Sequence, residues 1–161
     1  MSFAFKLLRD VRLLLVALWL GAAVFFSFAV APTLFSLLPA RELAGTVVTR
    51  TLAIINIGGF ILSLLLLLTT FPGKNRISKR AFYTELVSLA LIALTTFIGQ
   101  WVISAKLLAL RAAMGRPIDA VAATDPLRIA FNSLHGYSVV ALSLGMIAAA
   151  TALLLIARRK A

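Results

Sequence analysis

The sequence predicts an all-α integral membrane protein: a four-helix bundle whose helices two to four extend on the non-cytoplasmic side. Three observations predict it. Apolar residues make up 62% of the chain, against about 45–50% in soluble domains, so most side chains need lipid around them. Four charge-free apolar stretches, at 13–31, 51–71, 86–105 and 136–157, each approach the roughly 20 residues that a helix needs to cross hydrocarbon. The formal charge of +11 falls in short clusters at the ends of these stretches rather than along one polar face. Such clusters orient a membrane chain and meet anionic headgroups; no groove-reading or base-stacking pattern accompanies them, and nucleic acid is not an expected partner.

The first stretch, "LLLVALWLGAAVFFSFAVA", follows Lys6, Arg9 and Arg12 and ends in "AVA", like a secretory signal. Its apolar core is too long for a signal, and Pro32 would directly follow the cut, so an uncleaved span is expected. The second helix should begin near Arg41, because "RELAGTVVTRTLAIINIG" holds no breaker before Gly58 and Gly59; it would run roughly 30 residues, about 45 Å. The third continues past Ala105 through "AKLLALRAAM" until Gly115 and Pro117 stop it. The fourth restarts at "TDPLRIAF", with Thr124 or Asp125 as cap and Pro126 in the first helical position. The chain, 1–161, thus reads as a single transmembrane domain without internal repeats.

Ten basic residues fall on the side of both termini and six on the other. The positive-inside rule therefore places both termini in the cytoplasm, in an inner or plasma membrane. Lipid tails are as apolar as leucine, so close approach at small residues must hold the helices together. Ala17 with Gly21, and Ala141 with Gly145 and Ala149, have the four-residue spacing for it, and Gly58, Gly59 and Gly99 offer further contacts. Trp19 is expected to pack in the bundle, and Trp101 to sit near the outer boundary.

Polar residues gather at one depth. Arg50, Asn56, Gln100, Asn132 and His135 all fall in the outer third of the membrane or at its outer edge, and intramembrane polar groups face the bundle interior or water. On helix four, Arg128, Asn132 and His135 follow an i, i+4, i+7 spacing, and Ser138 lies three residues beyond His135. These seven residues form a candidate polar pocket. The sole histidine reads first as a polar anchor that also lines this pocket, beside an anion, metal or proton site.

Catalysis by this chain is not expected. The absence of cysteine removes disulfides, thiolate metal sites and cysteine nucleophiles. Haem held by two histidines lacks its second imidazole, and one histidine with Asp119 and Asp125 is a poor zinc set. A serine–histidine–acid triad lacks an acid at the right depth, since Glu85 lies at the cytoplasmic end. Glu85 is expected to pair with Lys79, Arg80 or an N-terminal arginine. No cofactor and no metal site is expected.

"LWLGAAVFFSFAVAPTLFSLLP" with "ELAGTVVTRTL", and "DPLRIAFNSLHGYSVVALSLG", resemble the first two helices and the last helix of the TMEM205-like (DUF4149) membrane proteins. The motif positions carried over are Trp19, Gly21, Phe131, His135, Gly136 and Ser138. The resemblance implies a distant similarity to copper-resistance D-type membrane domains and thus a metal- or drug-resistance reading. Those relatives rely on several histidines or methionines that this chain lacks. Three readings follow: a small four-span membrane protein working through a polar pocket near the outer face; a metal- or drug-resistance transporter or ion handler; and an accessory subunit packed against a larger membrane complex. The expected partners are the bilayer with its anionic headgroups, and either further copies of the chain or that larger complex.

Overall fold

The computed structural model describes residues 3–71 and 78–159. Four helices are long and apolar enough to cross a membrane: α1 (Phe3–Leu37), α2 (Arg41–Leu68), α3 (Lys79–Met114) and α4 (Pro126–Ala157). With its four apolar helices the chain is an integral membrane protein. Lys74, Arg76 and Lys160, three of the residues counted for topology, lie outside the described residues.

Local chemistry accounts for most helix ends. Glu42 occupies the first turn of α2, where a negative charge meets the positive end of the helix dipole. The Ser78 hydroxyl accepts from the Ala81 amide at the start of α3. Gly115, at φ +62°, closes α3 in the left-handed conformation that glycine reaches without a Cβ penalty. A carboxylate oxygen of Asp125 accepts from the Leu127 amide at 2.8 Å, with Pro126 in the first helical turn. The expected starts of α2 and α4 and the expected stop of α3 are thus all in place.

Each helix is longer than the apolar stretch that marks it, and α1 extends at both ends. It runs through Pro32 because a π-helical segment, Phe26–Val30, precedes the proline; there the Ala31 amide donates five residues back to the Phe26 carbonyl. Proline lacks the N–H and crowds the carbonyl four residues before it, and widening the turn accommodates that crowding. A second π-helical segment, Ile98–Ser104, interrupts α3.

The helices pack in a ring. α3 meets both α2 and α4 along most of its length, and α1 closes the ring against α4 and α2. Val16, Trp19, Ala23 and Phe26 point inward from α1 and meet Ile55 and Leu66 of α2, Leu89 and Ile92 of α3, and Ala148, Ala149, Ala152 and Ile156 of α4. The Trp19 indole N–H donates to the Ile55 carbonyl at 2.9 Å, and the ring lies against Gly59, where an added Cβ would stand 2.5 Å from Nε1. At Gly145 an added Cβ would stand 2.9 Å from the Thr95 hydroxyl. Close approach at Gly59, Gly145 and Ala149 is therefore realised. Ala17 and Gly21 are exposed instead, and Gly58 and Gly136 meet nothing within 4 Å. Helix four's small stripe is a contact inside the bundle; helix one's is not.

Hydroxyls in the apolar zone satisfy themselves. Ser27, Ser63, Ser88, Thr95, Thr96 and Thr151 each donate to a carbonyl three or four residues back on their own helix, as groups without water must.

Candidate functional site

Polar side chains collect at the two ends of the bundle, in opposite ways. At the end where α1 starts and α4 finishes, Glu85 is 1% exposed and Arg12 2% exposed. One Glu85 carboxylate oxygen accepts from Arg12 Nη2 at 2.6 Å, and the other accepts from Arg159. Arg12 also donates to the Thr69 and Thr70 hydroxyls at 3.1 and 2.7 Å. Arg9 donates to the Arg159 carbonyl at 3.1 Å, tying α1 to the end of α4. All four helices thus meet on one ion cluster. Glu85 pairs with an N-terminal arginine as expected, while Lys79 and Arg80 are exposed. Arg159 is the partner the sequence reading missed. Among the described residues, only the Nε atoms of Arg12 and Arg159 are buried there without a hydrogen-bond partner.

At the far end the helices stand apart around a cavity of 520 Å³. α2 contributes Glu42, Gly45, Thr49 and Leu52; α3 contributes Gly99, Ser104 and Arg111; α4 contributes Phe131, Asn132, His135 and Ser138. The π-helical segment of α3 supplies two of these, Gly99 and Ser104. Such segments frequently mark functional sites. Arg111 is half-buried, with its guanidinium carbon 5.2 Å from the centroid of the Phe131 ring. Its Nη2 would stand 2.8 Å from a Cβ on Gly45, so the group rests where α2 presents bare backbone.

Of the seven candidate pocket residues, the structure brings Asn132, His135 and Ser138 to the cavity lining. Asn132 and His135 are exposed there and Ser138 is buried. Neither Asn132 nor His135 hydrogen-bonds to another described residue, so the histidine lines the cavity without an anchoring bond. The other four lie elsewhere. Arg50 is exposed on α2. Arg128 donates to the Val121 carbonyl and orders the loop before α4. Asn56 is 4% exposed and packs beneath the cavity against Gly99, where an added Cβ would stand 3.1 Å from its amide nitrogen. Gln100 is half-buried beside Gly99 and does not reach the lining. Depth alone grouped Arg50, Asn56 and Gln100, and helix spacing added Arg128; their positions around the helix axes separate them from the cavity.

Of the family-motif positions, Trp19 is core, Phe131 carries Arg111, and His135 and Ser138 line the cavity. Gly21 and Gly136 are exposed. The arginine that dominates the cavity was missed, although its position in "AKLLALRAAM", on the extension of a membrane helix, was visible. Among the described residues, no three His, Cys, Asp or Glu side chains are grouped to hold a metal ion.

Together these features define the class: an integral membrane four-helix bundle, closed by an ion cluster at one end and open to a polar cavity at the other. Residues 14–116, well over half of the chain, match the family described as Domain of unknown function (DUF4149). The chain belongs to that family. The matched residues include most of α1 and all of α2 and α3 and stop before α4, so Phe131, His135, Gly136 and Ser138 lie outside them. Comparison with the curated proteins and with the solved structures gives no match.

Proposed function

We propose that this protein is a binding protein of the membrane, not an enzyme, and that it holds a small ligand in the cavity between α2, α3 and α4. The observation that carries this reading is the 520 Å³ cavity itself. Its volume is in the range of small-molecule sites, which pair an apolar lining with a few placed polar groups. Here Leu52, Phe131 and Ile118 supply apolar surface, while Arg111, Asn132 and His135 supply donors. The cavity faces the non-cytoplasmic side in this reading, which the excess of basic residues on the side of the termini and of the loop between α2 and α3 supports. The finer kinship with TMEM205-like proteins belongs to the same proposal and rests on the helix-four residues quoted above.

Ala112 is exposed and lines the cavity, so tryptophan there would fill the space without entering the core. Native mass spectrometry of protein extracted from its own membrane in mild detergent tests the proposal. Wild type should retain a bound species that Ala112→Trp loses; identical spectra would overturn the reading. Sidedness is tested on single-cysteine variants, since the chain has no cysteine of its own. In intact cells, a membrane-impermeant maleimide should label Ala113→Cys and spare Thr84→Cys, and the reverse pattern would invert the topology.

A further inference from the structure

The charges of the cavity do not balance. Arg41, Arg111 and Arg116 line it, against one carboxylate, Glu42. Arg41 has Asp119 at 3.7 Å. Arg111 has no carboxylate or carbonyl within hydrogen-bond reach among the described residues, and neither has Arg116. Arg111 therefore keeps its N–H donors open to the cavity, and it is held in place by something other than a hydrogen bond. Phe131 lies under its face, a favourable cation–π placement, and glycine at position 45 leaves room for its Nη2. The side chain is seated, but its donors are left unused.

Depth adds the second half of the argument. Counted back from Leu68 and Ala157, roughly 20 residues of hydrocarbon bring its edge near Thr49 on α2 and Ser138 on α4. Thr49, Leu52 and Ser138, which line the cavity, therefore lie at the edge of the acyl zone. Arg111, about two turns beyond Ser104, stands at the level of the headgroups.

Resting on the reading of this cavity as a ligand site, we propose that its ligand is an anionic membrane lipid. The phosphate is bound by Arg111, and the acyl stem leaves past Leu52. An arginine fork matches phosphate oxygens two at a time, and the Phe131 seat holds the fork ready before the ligand arrives. Glu42, one turn before Gly45 on α2, opposes the anion. His135 and Asn132 supply neighbouring polar groups at the rim.

The test is titration of phosphatidylglycerol into the delipidated full chain, read by native mass spectrometry, with phosphatidylcholine and inorganic phosphate as separate arms. Wild type should prefer phosphatidylglycerol over phosphatidylcholine. Arg111→Gln should weaken phosphatidylglycerol by roughly tenfold to a hundredfold, the range for losing hydrogen bonds to a charged group. Gly45→Ala, which puts a methyl group 2.8 Å from Nη2, should weaken it in the same direction. Glu42→Gln should tighten it by roughly two- to fivefold at low salt. Arg158→Gln, at the opposite end, should leave it unchanged.

Equal binding by wild type and Arg111→Gln would overturn the inference, and so would phosphatidylcholine binding as tightly as phosphatidylglycerol. Inorganic phosphate binding as tightly as the lipid would overturn the lipid assignment. If Arg111→Gln has no effect while Ala112→Trp still expels a bound species, only the headgroup assignment falls. If Ala112→Trp expels nothing, the cavity reading falls with it. Arg111 makes no hydrogen bond to a described residue, so Arg111→Gln should keep the thermal midpoint of wild type; the same melting curve checks that the variant is folded.

Discussion

Two arginines of this protein meet opposite fates. Arg12 is shut inside the bundle at the end of the chain termini, with its fork on Glu85 and two threonine hydroxyls. Arg111 stands at the other end against an aromatic ring, in an open cavity, with no carboxylate partner. The first closes a helix junction, its fork already taken up by Glu85 and the two threonines. The second is held by packing alone, and its donors remain free. A buried cation whose fork is already occupied serves the fold, whereas one seated with free donors serves recognition; the predictions below press on that difference.

The largest effect is expected at the closed end. Glu85→Gln removes the charge that faces both Arg12 and Arg159, leaving buried cations without a counter-charge. Removing one partner of a buried pair costs about 3–5 kcal/mol, and the thermal midpoint in detergent should fall accordingly. A sharper version replaces the pair with apolar side chains. Arg12→Met with Glu85→Leu should be less destabilising than Glu85→Gln alone, because no unpaired charge remains on those two positions and Arg159, 15% exposed, reaches toward water. A double variant worse than the single one would mean that the cluster holds the bundle by its specific hydrogen bonds.

A smaller loss is expected midway between the ends. Gly59→Ala puts a methyl group 2.5 Å from Trp19 Nε1, and the indole must move off the Ile55 carbonyl that it donates to. Overpacking of this kind costs about 1–3 kcal/mol. Gly58→Ala is the matched control, since an added Cβ there meets nothing within 4 Å. Equal melting curves for the two variants would show that α1 and α2 slide apart freely at this height, contrary to the close packing at Gly59.

Much of this was legible in the sequence, and the misses have physical causes. Apolar length gave the four helices, and Gly115 and the pair Asp125–Pro126 gave two of their ends, because capping chemistry is local. Arg12 was legible in part. Arg12, Val16, Trp19, Ala23 and Phe26 alternate in steps of four and three, the spacing of a buried stripe, and all five are buried. The reading counted Arg12 as a topology signal and, with the other N-terminal arginine, as a possible partner for Glu85. Its contact with Glu85 was anticipated, but Arg159 was not, because the meeting of α1 with the end of α4 is a property of the ring and of no single helix. Ala17 with Gly21 shows the converse: the spacing of a helix contact is present, and the structure leaves both residues exposed. At the cavity, depth placed Arg50, Asn56, Gln100, Asn132 and His135 together, yet of these only Asn132 and His135 reach the lining. The π-helical segment in α3 changes which residues face inward beyond Ile98, and no periodicity argument built on 3.6 residues per turn registers such a shift.

His135 gives the smallest stability effect and the cleanest contrast with Glu85. Both are titratable residues on long membrane helices, and both were candidates for chemistry. His135, however, is exposed within the cavity and makes no hydrogen bond to another described residue. Substitution at such a position typically changes stability by no more than about 0.5 kcal/mol. His135→Ala should therefore melt with wild type, while Glu85→Gln does not. In the lipid titration it should weaken phosphatidylglycerol less than Arg111→Gln does, because it removes a rim group and leaves the guanidinium in its seat. A His135→Ala protein that melts far below wild type would make the histidine a structural pin and bring the two ends of the bundle under one explanation. A titration in which His135→Ala matches or exceeds Arg111→Gln would move the centre of the site from the α3 extension to helix four.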